Sequence, residues 1–134
     1  MTGASAGWSN EHNTLTIFMP YIGKCLSVNH YRYKNGHVRP EVRRWQVILA
    51  SLAFAGNGAF WRPKITIVGH FKDKRSMPDM SNLTKVIYDG LKKTDKHDGL
   101  GMDDKWFQDG EHRYGERAEE PYLEIIITES EAQA

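Results

Sequence analysis

Apolar residues recur in two rhythms along this chain. In residues 14–19, Leu15, Ile17 and Met19 alternate with Thr14, Thr16 and Phe18, the period of two expected of a strand with one buried face. Pro20 ends that run. Residues 64–72 repeat the pattern, with Ile65, Ile67 and Phe71 on one face and Thr66, Val68 and His70 on the other. Residues 106–114 and 122–128 read as a hairpin pair, with Leu123, Ile125 and Ile127 inward. Between the strands the period lengthens. Pro40 opens a helix in which Trp45, Ile48, Leu49 and Leu52 follow the i, i+3, i+4, i+7 template. Arg43 and Arg44 take its outer side, and Gly56-Asn57-Gly58 stops it. A second helix runs over residues 79–91, with Pro78 and Asp79 as its start. The order β-α-β-α-β-β predicts an α/β fold of the α+β kind: a single domain with a mixed four-stranded sheet and two main helices. Residues 1–13 are small and polar and read as a disordered lead, residues 14–128 as the folded domain, and residues 129–134 as a frayed tail.

The second helix is more than amphipathic. At about 100° per residue, with Asp79 at zero, Asn82, Lys85 and Asp89 fall between about 240° and 300°. Leu83, Val86, Ile87, Gly90 and Leu91 fall between about 340° and 120°. One face packs, and an adjoining stripe carries an amide, an amine and a carboxylate. Taken alone, this also describes a capped surface helix with a Lys85–Asp89 pair at i,i+4. A loop later, Asp103 and Asp104 stand side by side. Adjacent carboxylates repel, so they need a cation or full solvation. Clustered carboxylates beside a lysine suit a divalent cation and phosphodiester chemistry.

Composition narrows the classes. The chain has 134 residues, 40% hydrophobic and 26% charged, ordinary values for one soluble globular domain. No run of about 18 apolar residues exists, which excludes a transmembrane helix. The single Cys25 excludes an internal disulfide and reads as structural, fitting a reducing cytoplasm. The net charge of +1 is unevenly spread. Residues 21–75 hold eleven Lys/Arg and two acids, a net +9, while residues 76–134 hold seven Lys/Arg and fourteen acids, a net −7. The first segment can supply a phosphate-binding surface and the second an acidic pocket. The alternative is that folding intermixes these charges and leaves no patch.

The run Pro78-Asp79-Met80-Ser81-Asn82-Leu83-Thr84-Lys85, then Asp89-Gly90-Leu91, then Asp103-Asp104 resembles the pattern of the RusA family of Holliday-junction resolvases. The early Ser27-Val28-Asn29-His30-Tyr31 resembles the family's Ser/Asn/Tyr loop after the first strand, and the element order is similar over residues 14–128. The resemblance implies an endodeoxyribonuclease that cuts four-way DNA junctions by paired nicks in recombination and repair. It implies a homodimer and a phage or prophage origin. Asp79, Lys85 and Asp104 take the catalytic positions. Asp79, Asp104, Asp103 and Asp89 become the acids available to Mg²⁺, for which Mn²⁺ can substitute. The implied product is a nick with a 5′-phosphate and a 3′-hydroxyl. Ser81 departs from the pattern, since it stands where the family has a second catalytic Asp.

Branched DNA would be held through its phosphates by Arg32, Lys34, Arg39, Arg43, Lys72, Lys74 and Arg75, with Asn29 and Tyr31 on the loop. Each of these basic residues singly also reads as a solvated surface charge. Tyr31 and Tyr33 could stack on unpaired bases or pack at the loop base. His97 with Asp95 and Asp98, and His112 with Glu111, match no zinc spacing and read as solvated loop residues. Trp45 and Trp106 read as core, and Gly99-Leu100-Gly101 is too short for a nucleotide loop. Three readings follow: an active junction endonuclease, a branched-DNA-binding protein weakened in cutting by Ser81, or an interaction protein whose acids only solvate a surface. The first two are told apart by whether a neighbouring acid, Asp73, Asp89 or Asp103, replaces the missing carboxylate.

Overall fold

The computed structural model describes residues 3–130; the rest of the lead and of the tail lies outside them. It is a mixed α+β domain with one five-stranded sheet and two α-helices. The strands are β1 (Ser5–Ser9), β2 (Thr14–Pro20), β3 (Pro63–His70), β4 (Gln108–Tyr114) and β5 (Tyr122–Glu129); the helices are α1 (Pro40–Ala53) and α2 (Thr84–Leu91). The sheet order is β1-β2-β5-β3-β4.

Two sequence expectations need correction. The lead is not wholly disordered: Ser5–Ser9 pairs antiparallel with β2, Ser5 opposite Phe18 and Ser9 opposite Thr14. Its residues are mostly exposed, so backbone pairing rather than an apolar face holds it, and no hydrophobic rhythm announces it. Nor do β4 and β5 form a hairpin. β5 lies between β2 and β3, antiparallel to both, whereas β4 runs parallel to β3 at the sheet edge. The physical cause is polarity. β5 buries Leu123, Ile125 and Ile127 and takes a central place, while Gln-Asp-Gly-Glu-His-Arg-Tyr has no apolar face and can only close an edge.

The sheet's buried side carries the predicted residues, Leu15, Ile17, Met19, Ile65, Ile67, Leu123, Ile125 and Ile127. They share one core with Trp45 and Leu49 of α1 and Val86, Ile87 and Leu91 of α2. Trp45 is fully buried, and its indole Nε1 donates to the Pro20 carbonyl at 2.7 Å. The buried amide of Gln46 donates to the Val86 carbonyl at 3.0 Å. A Cβ on Gly90 would sit 2.8 Å from Leu49 Cδ2, so the helices approach as closely as glycine allows.

His70 anchors the end of β3. Its Nδ1 lies 2.8 Å from the Glu116 carbonyl, its Nε2 lies 2.6 Å from Glu124 Oε1, and its ring stacks on Tyr122. These contacts tie the connection after β4 to β5. His70→Ala is therefore expected to cost about 2–3 kcal/mol in urea unfolding, the size of lost buried hydrogen bonds plus ring packing.

Candidate phosphate cleft and carboxylate pair

The start of the acid-bearing segment is set locally. Asp79 caps a 3-10 turn, Met80–Leu83, before α2 begins at Thr84. Its Oδ1 accepts from the Ser81 hydroxyl at 2.8 Å and the Ser81 amide at 3.1 Å. The Ser81 hydroxyl, then the Ser81 amide, hold the Asp79 carboxyl below the usual range, with His112 adding to them. The Asn82 carbonyl is taken by the Val28 amide at 2.8 Å, so the loop after β2 docks on this turn. A continuous helix from Asp79 is thus corrected: Lys85 and Asp89 meet as the spacing predicts, but Asp79 is drawn to Ser81.

Below the turn, charges form a chain. Lys85 Nζ and Lys92 Nζ each lie 3.3 Å from Asp89 Oδ1. That oxygen is buried and makes no well-directed hydrogen bond, so its company is these two ammoniums. Tyr31 Oη donates to Asp89 Oδ2 at 3.4 Å. Lys92 Nζ also reaches Asp104 Oδ2 at 3.8 Å. Burial opposes the charge on Lys92, but Asp89, Asp104 and Asp103 together raise its pKa. Asp103 caps the 3-10 turn Asp104–Trp106, accepting from the Lys105 amide at 3.2 Å. That amide, then a hydrogen bond from Asp104, pull the Asp103 carboxyl down. Burial, then the contact with Asp103, push the Asp104 carboxyl up. The two adjacent carboxyls are thus pushed apart in proton affinity, Asp103 down and Asp104 up.

Beside this chain lies a cleft of about 230 Å³. Arg32, Arg43, Lys85, Lys92 and Lys96 line it against Asp89 and Asp95. The segments of opposite charge therefore meet at one place. Of the other expected DNA contacts, Tyr31 is buried, which corrects the idea that it stacks on bases. Arg39 is spent on the fold: its Nε donates to the His30 carbonyl at 2.6 Å, and its guanidinium lies over Tyr33. Asn29, Lys34, Lys72, Lys74 and Arg75 are exposed but do not line the cleft. Among the described residues no three His, Cys, Asp or Glu side chains come close enough to hold a metal ion, so Asp79, Asp89, Asp103 and Asp104 are not gathered as one set.

Sequence reasoning missed the contribution of β4. Tyr114 Oη donates to the Pro78 carbonyl at 2.6 Å, His112 Nε2 is 3.5 Å from Thr84 Oγ1, and Tyr88 Oη donates to Asp109 Oδ1. Residues 109, 112 and 114 share a face only because a bulge intervenes. Ile65 pairs with Asp109 and Ile67 with His112, so Thr66 faces both Gly110 and Glu111. Gly110 inside a polar strand was the one available sign of it. His112, expected to be a solvated loop residue, is exposed but stands on β4, with Nε2 near Thr84 at the start of the helix. Trp106, expected in the core, is 43% exposed. No protein-family model matches the chain, and no curated protein matches it.

Proposed function

We propose that this protein is a Mg²⁺-dependent, structure-specific endonuclease acting on branched DNA. The observation that carries the reading is the joining of a cationic cleft to the Asp103–Asp104 carboxylate pair through Lys85, Asp89, Lys92 and Asp104. A polyanion needs the first and phosphodiester hydrolysis the second. The donor set fits a hard cation that keeps its waters: two adjacent carboxyl groups, one of them pushed up in pKa by burial and by its neighbour. Asp103 and Asp104 would hold it, with Asp89 engaged by lysines and Asp79 turned to Ser81. When bound, Mg²⁺ supplies Lewis-acid polarisation of a phosphoryl oxygen and a water of lowered pKa.

The chain's own residues do the rest. Arg32, Arg43 and Lys96 hold phosphates at the cleft wall. Lys85, half-exposed and 3.3 Å from Asp89, turns its ammonium toward the charge that builds on the phosphoryl oxygens during in-line attack. Lys92 fixes Asp89 and Asp104 relative to each other. A twofold dimer would place two such sites on one junction.

A second reading has its own support. Ser81 brings no charge, and it occupies Asp79 with two hydrogen bonds. A branched-DNA-binding protein weak in cutting fits that. The test is an end-labelled, mobile four-way junction incubated with Mg²⁺ or Mn²⁺, beside linear duplex. Symmetric nicks on the junction alone bear out the endonuclease. Tight junction binding without nicks in either metal favours the second reading, and Ser81→Asp is then expected to restore cutting. Equal, weak binding to junction and duplex with no metal effect sinks both.

A further inference from the structure

The surface next to the carboxylate pair is aromatic. Trp61 is 62% exposed and Trp106 is 43% exposed, and with Phe60 and Met102 they line a shallow depression of about 290 Å³. Two cations share the rings. The Arg62 guanidinium lies 5.6 Å from the Trp61 centroid and 5.7 Å from that of Trp106, and Lys105 Nζ lies 5.5 Å from Trp106. The arrangement is held firmly. The backbone amides of Trp61 and Arg62 each donate to the Glu129 carboxylate at 2.7 Å, and the Ser130 amide donates to the Arg62 carbonyl at 2.8 Å. Trp106 stands two residues after Asp104 in the same 3-10 turn.

We propose that Trp61 and Trp106, with Arg62 and Lys105, form a platform on which unpaired nucleobases stack beside the cutting site. Indole faces accept any base, and the cations beside them match the phosphates that accompany successive bases. An apolar protein partner would have to desolvate both cations without recompense. Paired bases are excluded, because their faces are already covered in the duplex. The platform rests on the nucleic-acid reading above and extends it: the DNA arms near the site are held with bases unstacked.

The experiment compares fluorescein-labelled oligothymidylate with a fully paired four-way junction in anisotropy titrations. The proteins are the native chain, the pair Trp61→Leu/Trp106→Leu, and the pair Trp61→Tyr/Trp106→Tyr. Leucine keeps apolar bulk without a π face, and tyrosine keeps the face. The expected result is a loss of at least about tenfold in oligothymidylate affinity for the leucine pair, recovered in the tyrosine pair. Unchanged affinity in the leucine pair overturns the platform. Native protein that binds the junction but not oligothymidylate overturns it too, and leaves the endonuclease standing. Native protein that binds neither overturns both. A leucine pair that sediments as a smaller assembly assigns the surface to a contact between copies, and overturns it as well.

Discussion

Asp104→Asn is expected to abolish junction nicking, by about 10³-fold or more, while making the protein more stable at neutral pH. The two effects share one cause. Asp104 is half-buried against Asp103, and burial is the larger of the two influences that raise its pKa. A carboxyl whose pKa is raised by folding binds its proton more tightly in the folded chain. Its ionised form therefore costs stability at every pH above the raised value. The cost fades as pH falls toward the ordinary Asp range, and is absent below that range. Asparagine has no charge to bury, and its amide can donate to Asp103 as the protonated acid does. The ion pair between Asp104 and Lys92, at 3.8 Å and partly exposed, weighs little against this. Thermal unfolding across pH reads this directly: the variant's advantage is present at pH 7 and closes as the pH drops through the window. Added Mg²⁺ is expected to raise the melting temperature of the native chain and not of the variant. A variant that nicks normally, or whose stability advantage over the native chain is no larger at pH 7 than at low pH, would remove Asp104 from the role given it.

Gly110→Ala is expected to cost about 2–4 kcal/mol and to lower nicking with it. A Cβ there would lie 2.6 Å from the Ile65 carbonyl oxygen and closer still to the Thr66 hydroxyl. The neighbour is backbone of the adjoining strand, which cannot swing aside as a side chain can. Relief requires undoing the bulge, and without the bulge Asp109 and His112 fall on opposite faces. The effect is measurable as a lower urea midpoint together with faster proteolysis around residues 108–114. A neighbouring exposed substitution, Glu111→Ala, is expected to do neither.

The parts of this fold legible in the sequence are those where burial dictates a rhythm. Leu15, Ile17 and Met19, and Leu123, Ile125 and Ile127, announced themselves because each strand hides one face. α1 did the same through Trp45 and Leu49. What escaped was set by backbone chemistry instead. β1 is held by ladder bonds with little apolar burial, and β4 by a parallel pairing that depends on a crossover through α2. The site divides in the same way. The Lys85–Asp89 pair follows from helical spacing, and the Asp103–Asp104 couple from adjacency. The docking of the loop after β2 on the turn after Asp79 does not, because the Val28 amide reaches the Asn82 carbonyl from 54 residues away in sequence. The exposure of Trp106 was equally hidden, since an indole after a polar turn reads as core until the turn's direction is known.

β4 has a strand partner on one side only, and its residues are mostly exposed. It can detach from β3 without opening the core between the helices and the other four strands. The contacts that it makes with the second helix and the turn before it, through Asp109, His112 and Tyr114, are then expected to open separately from the Lys85–Asp89 pair on the packed helix. Exchange of the β4 backbone amides is therefore expected to run ahead of exchange in β3 and β5, so that the edge reports on local opening long before the domain unfolds.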